Sequence, residues 1–144
     1  MRRHIRVRTC AVASALPWLL LMASAGGQEK TPEKLLVVER GANTYRVHCA
    51  VCHGKSGEGN GPLADQLRFA PPDLTRLARR NKGRFDSEMV QRIIDGRWPV
   101  KGHGGPEMPI WGDAFLESRK GYSRDALREK IVELAAFLAT LQKR

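Results

Sequence analysis

Between Ser123 and the C-terminus apolar side chains return every three or four residues: Leu127, Ile131, Leu134, Leu138 and Leu141 share one face, with Phe137 beside them. That period is helical, and a stripe of this kind has to be covered by another element. Ser123 supplies a hydroxyl N-cap and Asp125 an acid in the first turn, while Lys143 and Arg144 bring positive charge to the dipole's negative end. A second helix is predicted from Thr31-Pro32-Glu33 to about His48, with Val38, Gly41, Ala42 and Tyr45 as its stripe. A glycine in mid-helix costs up to ~1 kcal/mol relative to alanine. Gly41 is therefore expected where another helix comes close.

Between these two helices the pattern is shorter and more broken. Pro71-Pro72 interrupts the chain, and Asp73 can cap a short helix from Leu74 to about Arg80. Asp86-Ser87 can cap another to about Asp95, with Val90, Ile93 and Ile94 apolar, Gly96 as its C-cap and Phe85 packed back on its first turn. The stretches Gly54–Pro62 and Arg97–Pro109 are rich in glycine and proline and read as loops. Long loops in a compact domain are usually functional. No strand alternation survives anywhere, so the expected class is all-α with long loops.

The N-terminus belongs to a different pattern. Arg2, Arg3, Arg6 and Arg8 precede a mostly apolar stretch from Cys10 to Met22, and Ala23-Ser24-Ala25 offers small residues for cleavage. This is the layout of a secretory signal peptide, residues 1–25, leaving a domain of residues 26–144 in the periplasm. The apolar stretch is shorter than the ~20 residues of a spanning helix, which favours a cleaved leader over a retained anchor. The residues after Arg2-Arg3 do not support twin-arginine export, and the apolar run lies after Cys10 instead of before it, against lipidation. Removing the leader leaves 21 Lys and Arg against 15 Asp and Glu, a protein charge near +6. A basic surface steers encounters with acidic partners. Nothing in the chain looks like a nucleic-acid module.

Export also narrows what the cysteines do. With Cys10 removed, Cys49 and Cys52 remain, in the string Cys49-Ala-Val-Cys52-His53. Two so close in an oxidising compartment would form a reactive disulfide unless other chemistry consumed them. Cys-x-x-Cys-His is the spacing of c-type haem attachment, in which each sulfur adds to one vinyl group and the imidazole binds the iron. Both thiols are then used and none is left over. A zinc site would need about two more ligands, and the chain offers only His48 and the distant His103. A thioredoxin-like dithiol would need a βαβ setting that is not visible. Gly54-Lys55-Ser56 resembles the end of a phosphate-binding loop, but the glycine required five positions earlier is Cys49. The glycines after the motif suggest a tight loop passing near a bulky planar group. Such a cofactor would join the hydrophobic core of a small domain, and the chain without it would fold poorly.

With His53 on one side of the iron, the other axial position decides between electron transfer and ligand chemistry. Met108 lies in the predicted loop, and the proline after it biases it to an extended backbone from which its thioether can project. Met89 sits beside Val90 on a predicted helix and is placed in the core instead. His48 directly precedes Cys49, too close to reach the opposite face. His103 is the second candidate, and would give bis-histidine ligation with a lower potential.

Cys49–Gly54, Gly59-Asn-Gly61-Pro62, Pro71-Pro72-Asp73-Leu74, Ile94-Asp-Gly96-Arg97 and Met108-Pro-Ile-Trp111-Gly112 together resemble the small monohaem His/Met cytochromes c of bacteria, the class I type. The resemblance implies a cytochrome c-like fold in which the N-terminal helix crosses the C-terminal one, with Gly41 and Tyr45 near Leu134 and Phe137. It implies one covalent haem c held by Cys49, Cys52, His53 and Met108, with the Pro62 carbonyl accepting from the second ring nitrogen of His53. It also places Arg97 and Trp111 near the haem propionates. The activity implied is one-electron transfer between redox partner proteins. The alternatives are a haem enzyme whose sixth ligand can be displaced, for peroxide or small-gas chemistry, and a haem subunit docked on a dehydrogenase.

Overall fold

The computed structural model describes residues 32–100, 108–118 and 121–143. The leader, the Thr31 cap, His103 and Arg144 lie outside these residues. Six α-helices occur in the described part: α1 (Pro32–His48), α2 (Ala50–His53), α3 (Leu77–Arg80), α4 (Ser87–Asp95), α5 (Trp111–Leu116) and α6 (Arg124–Thr140). Two 3₁₀ turns, Ala64–Gln66 and Leu74–Arg76, lie between α2 and α3. No strand occurs among the described residues, as the all-α expectation has it.

The frame is the crossing of α1 over α6. Gly41 lies at the contact, where a Cβ would stand 2.0 Å from the Glu133 carbonyl oxygen and 3.0 Å from Phe137 Cβ. Only a residue without a side chain lets the two backbones come this close. Tyr45, one turn on, is fully buried with its ring 5.1 Å from that of Phe137. Its hydroxyl donates to the Gly54 carbonyl at 2.7 Å, which ties the crossing to the end of α2. Glu133, nearly buried beside the crossing, is ion-paired with Arg40. The stripe on α6 is buried as its periodicity requires, with Leu127, Ile131, Leu134 and Leu138 all in the core.

The caps follow the sequence closely. Asp73 accepts from the Thr75 amide at 2.8 Å, Asp86 from the Met89 amide at 2.9 Å, and Ser123 from the Ala126 amide at 3.2 Å. Gly96 closes α4 in the left-handed region at φ 83°. The helix expected over residues 74–80 starts as a 3₁₀ turn before becoming α3. Beyond α6 the chain returns to it: the Gln142 side chain accepts from the Ala78 amide at 2.8 Å and donates to the Leu74 carbonyl at 2.9 Å, and the Lys143 amide donates to the Thr75 carbonyl at 2.8 Å.

Two expectations need correction here. Met89 is exposed, not core, because the buried face of α4 runs through Val90 and Ile94 and a residue one step before Val90 points about 100° away. The glycines after the motif answer to the chain itself: a Cβ on Gly59 would meet the Pro71 carbonyl at 2.3 Å, and one on Gly61 would meet the Val51 carbonyl at 2.5 Å. The loop is drawn back along α2 by Gly59→His53, Gly61→Cys52 and Leu63→Val51 backbone bonds of 2.8–3.0 Å.

Candidate haem site

Helix α1 ends at His48, and the chain turns through Cys49 directly into α2, so the motif occupies a short helical turn braced by the Cys49→Tyr45 and His53→Cys49 backbone bonds. Cys49, Cys52 and His53 all face one cavity of about 490 Å³. Its floor comes from α6 through Leu134 and Leu138, and α4 contributes Ile93 and Ile94. Met108 and Trp111, on the segment entering α5, form part of the wall. The residues that the sequence puts some 55 positions apart, His53 and Met108, thus border the same space.

Neither cysteine is in a disulfide. Burial, and secondarily the neighbouring Cys52, pushes the Cys49 thiol up to about 12. Such surroundings accept a neutral sulfur and resist a thiolate. A thioether meets that condition. Among the described residues no group of three or more His, Cys, Asp and Glu side chains converges, so the zinc reading finds no ligand set there.

His53 is 5% exposed, and its Nδ1 lies 3.4 Å from the carbonyl oxygen of Pro72. With its proton on Nδ1 the ring would donate to that carbonyl, at the long end of the range, and Nε2 would keep the lone pair that a metal takes. Pro62, the acceptor implied by the resemblance, is exposed and outside the cavity wall, because the backbone bonds above carry it back along α2. Pro72 stands in its place. Arg97 is exposed, pairs with Asp95, and is not among the residues that line the cavity.

Trp111 does line it, and its Nε1 is buried without a hydrogen-bond partner among the described residues. An orphaned buried donor costs ~1–3 kcal/mol, so an acceptor at this wall would be strongly favoured. The indole is held from behind by the His48 ring at 5.2 Å and the Phe115 ring at 5.3 Å. Nothing in the sequence pattern marks α5 as a helix, since it follows Pro109 with no side-chain cap and spans only six residues. Nor does any local signal mark His48, excluded as an axial ligand, as a packing partner of Trp111.

Two free sulfurs, a buried imidazole, a methionine and an unpaired indole donor around an apolar hollow fit a haem with its vinyl groups, iron and carboxylates. An all-helical shell with these features defines a c-type haem protein. The chain belongs to the cytochrome c family, which it matches over residues 38–142. No curated protein and no solved structure matches it. Membership gives the chain covalently bound haem c, haem-based electron transfer and redox partners. No helix among the described residues is long and apolar enough to cross a membrane.

Proposed function

We propose that this chain is an exported, periplasmic one-electron carrier with a single haem c, anchored by Cys49 and Cys52 and held axially by His53 and Met108. The observation that carries the reading is that all four residues border one cavity. Bound there, the haem supplies an Fe(III)/Fe(II) couple whose potential a methionine ligand raises. Cys49 and Cys52 fix its position, His53 is oriented through Pro72, and Trp111 offers its N–H to a propionate. The apolar walls from α4 and α6 keep water away from the centre, which tunes the couple and limits reorganisation. With both axial positions filled by the chain, the reading is a carrier and not a ligand-binding enzyme.

Partners are proposed to be acidic at their docking surfaces. Among the described cations, Arg40, Arg92, Arg97, Arg128 and Lys143 all meet carboxylates within the chain. Arg79, Lys82 and Arg84 are exposed and meet none among the described residues. They come soon after Leu74 and Leu77, which line the cavity.

The test is the absorption spectrum of the exported protein. Oxidised wild type is expected to show the weak long-wavelength band of iron–sulfur axial bonding. Met108→Ala should abolish it and Met89→Ala should leave it. Retention of the band in Met108→Ala would show that another residue is the ligand.

A further inference from the structure

The two short motifs on either side of residues 101–107 are pressed against each other. Gly96 ends α4 at φ 83°, and a Cβ there would lie 2.3 Å from Ile110 Cγ2. Two residues beyond Ile110, a Cβ on Gly112 would lie 2.5 Å from Asp95 Oδ1 and 2.8 Å from the Asp95 carbonyl. At Gly112 it is space alone that demands glycine, since its backbone is not in the left-handed region. The other carboxylate oxygen of Asp95, Oδ2, is ion-paired with Arg97, so the carboxylate against Gly112 is held from both sides.

We infer that this neck, Asp95 and Gly96 on one side with Ile110 and Gly112 on the other, positions the Met108 sulfur, and that Arg97 is a positioning residue acting through Asp95. The inference rests on the proposed ligation by Met108. Helix α4 sets the cavity wall with Ile93 and Ile94, and its last residues grip the segment that carries Met108. Cavity wall and ligand are thereby referenced to one element. Ordinary contact begins at 3.4 Å. A Cβ on Gly112 must therefore push the Asp95 carbonyl, a backbone atom 2.8 Å away, back by about 0.6 Å, more than the ~0.5 Å within which a site group has to be held. Neither Arg97 nor Asp95 lines the cavity, and their ion pair acts on the site through the contact of Asp95 with Gly112.

The experiment uses the mature haem-bearing protein and compares Gly112→Ala, Arg97→Gln, Met108→Ala and the core variant Leu127→Ala with wild type. Gly112→Ala is expected to lose the iron–sulfur band and to bind carbon monoxide when reduced, while keeping covalent haem and helical circular dichroism. Arg97→Gln adds no volume and decides the matter should Gly112→Ala fail to mature: it should keep the band but bind added imidazole about tenfold more tightly, as a ligand poised less firmly yields more readily. Leu127→Ala should melt lower with band and imidazole affinity unchanged, which separates positioning from general destabilisation. A band present in wild type, absent in Met108→Ala, yet intact in Gly112→Ala, or wild-type imidazole affinity in Arg97→Gln, would overturn the neck and leave Met108 ligation standing. A wild type without the band would overturn both.

Discussion

A buried N–H has to find an acceptor, and Trp111 Nε1 has none among the described residues while standing on the wall of an apolar cavity. Phenylalanine keeps most of the indole's packing against His48 and Phe115 but removes the donor. If the acceptor is a charged carboxylate of the bound haem, Trp111→Phe should lower the unfolding free energy of the haem-bearing protein by about 1.5–3 kcal/mol, read from denaturant unfolding. A loss below ~0.5 kcal/mol, the ordinary range of a neutral substitution, would mean that no such bond exists. The same scale explains the shift from Pro62 to Pro72. Both prolines lie downstream of the motif, and which carbonyl reaches His53 depends on how the intervening loop folds back, which is set by backbone bonds and by the glycine contacts at residues 59 and 61.

Among the elements, the α1–α6 crossing and the capped turn at Asp73 make the clearest demands. Alanine at Gly41 would gain up to ~1 kcal/mol in helix propensity. Its Cβ would fall inside contact distance of the Glu133 carbonyl, and overpacking of this kind costs typically about 1–3 kcal/mol or more. Gly41→Ala is thus expected to destabilise, seen as a lower Tm of the haem-bearing protein. At the other corner, the Thr75 hydroxyl and amide, at 2.6 and 2.8 Å, hold the Asp73 carboxyl below the usual carboxylate range, helped by Arg76. A depressed folded value means that this stabilisation is complete above the unfolded pKa of ~3.9 and fades as pH falls through the folded one. Glu58, bonded by Lys143 and Ser56, is shifted in the same direction and adds to the acid loss. Asp73→Asn should cost most at about pH 7, where the carboxylate's contribution is complete, and should flatten the fall in stability below about pH 4. A slope equal to wild type in thermal melts across that range would remove Asp73 from the account.

At the scale of the whole molecule, the cavity of about 490 Å³ is walled by side chains that belong to the hydrophobic core itself, Tyr45, Val90, Ile94, Leu134 and Leu138. The occupant is therefore part of the core. Charge is the other property of the whole. With Arg79, Lys82 and Arg84 exposed, and following the cavity-lining Leu74 and Leu77 in the chain, oxidation of the reduced protein by anionic hexacyanoferrate should be fast and fall with ionic strength. Reversing the three charges to glutamate should slow it about tenfold or more at low salt and flatten the salt dependence. An unchanged rate would place electron exchange on another face.

The helices that frame the molecule are legible in the chain because their signals are local: a 3.6-residue stripe on α6, a mid-helix glycine on α1, and Asp73, Asp86 and Ser123 as caps each need only their neighbours in sequence. The attachment motif is legible for the same reason, since Cys49, Cys52 and His53 lie within a short stretch of chain. Features that depend on distant segments meeting are not. The carbonyl facing His53, the placing of His53 and Met108 on one cavity, and the His48 ring against Trp111 all arise from how one stretch folds against another. No local pattern carries that information, and it took the tertiary structure to decide it.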